Sequence, residues 1–134
     1  MAFKTKTWMA AACGLAVGAL LPAAIAPVDA AGPYDGTYRG TVKLVRSTIT
    51  PQGKADCGST TAAGRQTTRR VADNKVTINY GGSDITFNVG ADGTISGTST
   101  YGRNQLTATG RITASAMVMD YGTQYCGFHF EGSR

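Results

Sequence analysis

From residue 35 to residue 130 apolar and polar side chains alternate with a period of two, and glycine, asparagine and aspartate punctuate the alternation. Residues 35–46 read DGTYRGTVKLVR, with Tyr38, Gly40, Val42 and Leu44 on one side and Arg39, Thr41 and Lys43 on the other. That is the pattern of a half-buried strand. Residues 47–64 carry Pro51, Gly53, Gly58 and Gly64 and predict a long loop with at most one short strand. Residues 65–71 form a polar strand candidate that ends in the turn residues Ala72, Asp73 and Asn74. The next two runs place Val76, Ile78 and Tyr80 opposite Ile85, Phe87 and Val89 across Gly81-Gly82-Ser83, the clearest hairpin of the chain. Ile95, Gly97, Ser99 and Tyr101 then share a face, as do Leu106, Ala108, Gly110 and Ile112, then Met117, Met119 and Tyr121, and finally Cys126, Phe128 and Phe130. No stretch after residue 31 has a helical period.

Seven or eight short strands joined by tight turns, without long crossovers, predict an all-β antiparallel meander. A meander leaves two open edges, and closure into an up-and-down barrel removes both. The expected fold is such a barrel, with a two-sheet β-sandwich as the alternative. Gly40, Gly97 and Gly110 fall at inward positions, where a strongly coiled strand bends. In so small a barrel the inward Val, Ile, Leu, Phe, Met and Tyr side chains could fill the interior completely.

The first 30 residues read differently. Lys4 and Lys6 precede an apolar run over residues 10–26, and Val28 and Ala30 supply small residues before a cut between Ala30 and Ala31, the layout of a cleaved signal peptide. The apolar run, interrupted by Pro22, sits at the lower limit of the roughly 20 residues that a spanning helix needs. Residues 1–30 are thus expected to be a signal peptide and residues 31–134 one domain, periplasmic or secreted, with no transmembrane span after cleavage. Cys13 lies too early in the apolar run for a lipoprotein and is discarded with the signal. Removing Lys4, Lys6 and Asp29 from the 13 basic and 8 acidic side chains leaves 11 and 7, a formal charge of +4. Cys57 and Cys126 are then the two remaining cysteines, and an even pair in a small exported domain predicts a disulfide. A redox-active pair would call for C-x-x-C spacing.

The opening Gly32-Pro33-Tyr34-Asp35-Gly36-Thr37-Tyr38, with a late cysteine in the last strand, resembles small uncharacterised exported proteins of Gram-negative bacteria that begin with a Tyr-Asp-Gly-Thr-aromatic strand. It is also faintly similar to the Gly-x-Trp opening of lipocalin-type barrels, with Tyr38 in the tryptophan's place. The segment after Ala30 has no tryptophan and is shorter than a lipocalin, so the resemblance does not imply a deep ligand cup. Periplasmic barrel inhibitors of proteases are similar in size and layout, but no inhibitor motif is present.

Candidate chemistry is sparse. His129 is the sole histidine; three residues from Cys126, it points to the opposite face of a strand, and no metal site is expected. There is no G-x-S-x-G nucleophile elbow. Residues 88–93 lack the acidic ligands of a calcium loop, and the seven acids after Ala30 suggest no glycosidase pair. The one cluster above background is basic, Lys54, Arg65, Arg69 and Arg70, with Arg103 and Arg111 elsewhere. Arginine's planar fork suits carboxylate, phosphate and sulfate, which makes these residues anion- or partner-binding candidates; the plainer alternative is a solvated polar edge. Without aromatic residues interleaved among the basic ones, nucleic acid is not an expected partner. The leading expectation is a non-catalytic exported binding or interaction protein, not an enzyme, that needs no cofactor and contacts an anionic envelope component or a protein. The alternative is a carrier for an apolar or amphiphilic small molecule in the barrel mouth, and the third reading is a periplasmic enzyme inhibitor.

Overall fold

A computed structural model describes residues 32–134; the signal-peptide reading of residues 1–30, with Cys13 and the cut after Ala30, lies outside them. The described chain contains ten strands: β1 (Gly36–Ser47), β2 (Ile49–Thr50), β3 (Gly53–Lys54), β4 (Arg65–Ala72), β5 (Lys75–Tyr80), β6 (Ser83–Val89), β7 (Thr94–Tyr101), β8 (Asn104–Ile112), β9 (Ala116–Gly122) and β10 (Cys126–Ser133). Eight of them close an antiparallel barrel in the order β1-β10-β9-β8-β7-β6-β5-β4, and β2 and β3 form a separate two-stranded ribbon. The fold is therefore the up-and-down barrel and not the sandwich. Among the described residues no helix is long and apolar enough to cross a membrane.

The period-two pattern maps directly onto the barrel wall. Tyr38, Val42, Val76, Ile78, Phe87, Ile95, Leu106, Ile112, Met117, Met119 and Phe130 point inward and are at most 2% exposed. Two inward glycines explain how so narrow a barrel coils. A Cβ on Gly40 would collide with the Glu131 carbonyl and the Gly132 backbone, and one on Gly110 with the Val118 carbonyl. Neighbouring backbones thus come closer at these points than any side chain allows.

One end of the barrel is sealed. The Tyr38 hydroxyl lies 3.0 Å from the carbonyls of both Tyr34 and Thr113, the Tyr34 hydroxyl donates to the Ala91 carbonyl at 3.1 Å, and the Arg134 guanidinium sits 5.9 Å from the centre of the Tyr38 ring. These contacts join the approach to β1 to the β6–β7 and β8–β9 turns across the end of the barrel, and burial pushes the Tyr38 phenol above its ordinary value.

At the other end the segment between β1 and β4 crosses the mouth. Sequence reasoning allows it one short strand; it contains two, paired through Ile49 with Lys54 and Thr50 with Gly53. Cys57 within it is bonded to Cys126 at the start of β10, 69 residues away. A bulge between Leu44 and Arg46 turns β1 toward this segment, and the Arg46 guanidinium donates to the carbonyls of Gln124 and Thr123.

The wall is not uniformly laced. β1 matches eight residues of β10 and seven of β4, whereas β4 meets β5 over three pairs and β6 meets β7 over two, all near the sealed end. From Ile78 to Phe87 the β5–β6 hairpin therefore has no ladder partner except itself. Its mouth-side tip is held by side chains: Tyr80 packs edge-on against Tyr101 at 4.9 Å and against Phe128 at 5.9 Å, and the Tyr101 hydroxyl donates to the Gly81 carbonyl at 3.3 Å. Gly81 has φ +58°, and a Cβ there would strike that hydroxyl, so only glycine lets the tip latch.

Two outcomes follow. Reducing the disulfide opens a closed loop of about 70 residues and is expected to cost about 4 kcal/mol on the chain-entropy account, read as a drop in the guanidinium midpoint with dithiothreitol; an unchanged midpoint would show that the link constrains nothing. Native-state amide exchange should run on the order of tenfold or more faster for the hairpin than for β9 and β10, because its opening breaks the fewest ladder bonds; equal protection would rule out independent movement.

Candidate functional site

The inner side chains of the sealed half fill the barrel, and a cavity of about 570 Å³ opens at the mouth. That volume lies inside the roughly 300–1,000 Å³ range of small-molecule sites. Tyr80 at the end of β5, Tyr101 at the end of β7, Tyr121 on β9 and Phe128 on β10 form its aromatic walls. Residues Ala55 to Thr60 of the disulfide-tethered segment and Tyr125 before β10 complete the rim. The strand ladders place all these residues at one end because antiparallel neighbours bring the C-terminal ends of β5, β7 and β9 beside the N-terminal ends of β4, β6, β8 and β10. Tyr121 and Phe128 stack at 5.3 Å, and burial raises the phenols of Tyr80 and Tyr121 above their ordinary value, so both remain neutral donors around neutrality.

Strand β4 sets the electrostatics. Its inward residues are Arg65, Thr67, Arg69 and Val71, because Val71 faces the core and side chains two apart share a face. Arg65 is exposed at the rim, lines the cavity and donates its Nε–H to the Thr60 hydroxyl at 2.9 Å. Arg69 is only 4% exposed. One terminal nitrogen donates to the Tyr121 hydroxyl at 2.7 Å, the other to the Thr68 carbonyl at 3.1 Å and the Thr67 hydroxyl at 3.3 Å. Its guanidinium carbon lies 5.4 Å from the centre of the Tyr121 ring and 5.1 Å from that of Phe130. The buried Nε of Arg69 has no partner, and no carboxylate among the described residues pairs with the group, since the ion pairs found there are both made by His129. Burial and, to a smaller extent, the charge of Arg65 lower the Arg69 pKa, while the Tyr121 phenol opposes that shift.

The basic residues singled out by sequence are thus divided between environments. Arg65 and Arg69 share the inner side of β4, Arg70 points outward and is exposed, and Lys54 is exposed on the β2–β3 ribbon. The disulfide of Cys57 and Cys126 forms as expected and lines the cavity. The six tyrosines fall into two sets: Tyr34 and Tyr38 seal one end, and the other four line the mouth.

A second polar group lies on the outer wall, where the β9–β10 register sets His129 opposite Asp120. The Nδ1 atom is 2.6 Å from Asp120 Oδ1, and Nε2 is 3.0 Å from Glu131 Oε1. Both nitrogens donate only when the ring is protonated. The Asp120 bond first, then that of Glu131, raises the histidine above its ordinary value of 6.5. No group of three or more potential metal ligands occurs among the described residues.

No family model, curated protein or solved structure matches the chain.

A raised folded-state pKa means that the His129 contribution to stability is fully present below the ordinary value and disappears as pH rises through the folded one. The ring resonances of His129 should titrate above 6.5, the Asp120→Asn variant should titrate lower, and the stability gap between the two proteins should be larger at pH 5 than at pH 9. Identical midpoints in the two proteins would show that the carboxylate does not hold the proton.

Proposed function

We propose that the barrel is a non-catalytic binding protein of the periplasm or cell exterior that holds a small apolar or amphiphilic molecule in its mouth. The observation that carries this reading is the aromatic cavity of about 570 Å³ standing above a filled interior. Apolar faces with a few convergent polar groups are the usual makeup of a ligand site, and Tyr80, Tyr101, Tyr121 and Phe128 supply both: broad rings, with hydroxyls on three of them. The disulfide adds preorganisation, because Cys57 fixes the covering segment to β10 and lowers the ordering cost a ligand would otherwise meet. A partly unlaced hairpin beside the cavity offers a way in that leaves the β1, β9 and β10 wall intact. The basic residues favour this reading over an outer anion-binding face, since Arg69 is turned into the barrel and does not stand beside Arg70.

The neutral dye N-phenyl-1-naphthylamine tests it. Stoichiometric binding with a blue-shifted, enhanced emission is expected, and the Asn104→Trp variant, which places a bulky ring on the cavity wall, should weaken it by about tenfold or more. Absence of binding, or binding that Asn104→Trp leaves untouched, would overturn the mouth as the site.

A further inference from the structure

Arg69 is the least expected group in the barrel. A buried guanidinium is costly unless its charge is matched and its five N–H groups are satisfied. Here three neutral oxygens and two ring faces receive it, and Nε–H is left over. The cavity above does not supply the missing charge. Its lining contains one acid, Asp56, and one base, Arg65, which offset each other formally. Asp56 Oδ1 accepts the Gly58 N–H at 3.0 Å within its own loop. Arg69 does not itself line the cavity, but its partner Tyr121 does, so an unpaired positive charge lies one hydrogen bond behind the cavity wall.

Tyr121 connects that charge to the cavity. Its hydroxyl accepts from Arg69, and no acceptor for its own proton is found among the described residues. An acceptor in the cavity would complete the chain from guanidinium to phenol to ligand, and each hydrogen bond in such a chain polarises the next. Arg65, whose Nε–H is engaged by Thr60, keeps its two terminal nitrogens for a second contact.

From this we infer that the ligand is a monoanion, with a carboxylate or sulfonate head set against the Tyr121 hydroxyl and Arg65 over the buried Arg69, and an apolar or aromatic body lying along Tyr80, Tyr101 and Phe128. The inference rests on the mouth-pocket reading and deepens it. Tyr121 and Arg65 touch the head; Arg69 is a positioning residue that fixes the phenol's hydrogen bond and supplies the field. The head thereby replaces the missing counter-charge, which makes the empty and filled sites differ most for an anion.

The test compares 1-pyrenebutyrate with 1-pyrenebutanol, which share a body and differ at the head, on the intact disulfide-bonded protein. A charge-assisted hydrogen bond is expected to favour the carboxylate by about tenfold or more. That ratio should fall toward one in Tyr121→Phe, which keeps the stacked ring, and in Arg65→Gln, an exposed position whose replacement leaves the core alone. A cation of the same body, 1-pyrenebutylamine, should bind worst. Equal affinity for acid and alcohol, while the neutral dye still binds, would overturn the anionic head and leave the pocket standing. A carboxylate preference that neither variant reduces would overturn the placement of the head. Failure of all the pyrenes and the neutral dye would remove the pocket reading together with this inference.

Discussion

Everything in this barrel depends on β1 being paired on both sides. A meander of seven strands starting at β4 would expose one edge at β4 and another at β10, and β1 covers both, matching seven residues of one and eight of the other. Twelve residues long, β1 is the longest strand of the described chain. The missing Cβ of Gly40 lets it pass directly over the Glu131–Gly132 backbone. With both edges consumed, the remaining seams need less main-chain bonding, and the barrel tolerates β4–β5 and β6–β7 seams of three and two pairs.

That uneven lacing gives the two ends different characters. At the sealed end, where the short seams do pair, Tyr38 is fully buried and its hydroxyl ties the entry of β1 to the β8–β9 turn. At the mouth β5 and β6 have separated from β4 and β7, and the gap is spanned by aromatic side chains and by a loop segment whose position depends on Cys57. Side-chain contacts can be rearranged locally without unzipping a ladder, while the disulfide keeps the covering segment attached to β10. The proposed site lies at this end, beside the part of the wall whose opening breaks the fewest ladder bonds.

Arg69 departs from the apolar chemistry of the rest of the core. A leucine or methionine at this inward position would meet no desolvation cost, and the neighbours Phe130 and Tyr121 offer it apolar surface. The guanidinium gains cation–π contacts with those rings instead, which recover a part of its hydration but leave Nε–H unpartnered. An unmet buried donor of this kind calls for a physical explanation, and the proposed anionic ligand would supply one. The His129 group on the outer wall differs in kind: its two carboxylates satisfy both ring nitrogens, and it is complete without a ligand.

The alternation of residues determined the strands and their inward faces, because period and parity are local properties: Val76, Ile78, Phe87, Leu106, Met117 and Phe130 face the core on the parity that the sequence alone displays, whereas the choice of a closed barrel over a sandwich was decided by the pairing of β1 with both β4 and β10. Cys57 and Cys126, the two cysteines of the described residues, likewise pointed to the disulfide that forms. The same parity carried a signal for Arg69, two residues before the inward Val71, but four consecutive polar or charged positions before it masked which side was core. What only the tertiary structure decided is which end is sealed and which is open, that Tyr34 and Tyr38 go to one and Tyr80, Tyr101, Tyr121 and Tyr125 to the other, and that Asp120 meets His129. Those outcomes depend on register between strands distant in the chain and on how far each seam stays paired. Register and seam length are set by the fit of all eight strands around a closed circumference, which no single strand's sequence contains.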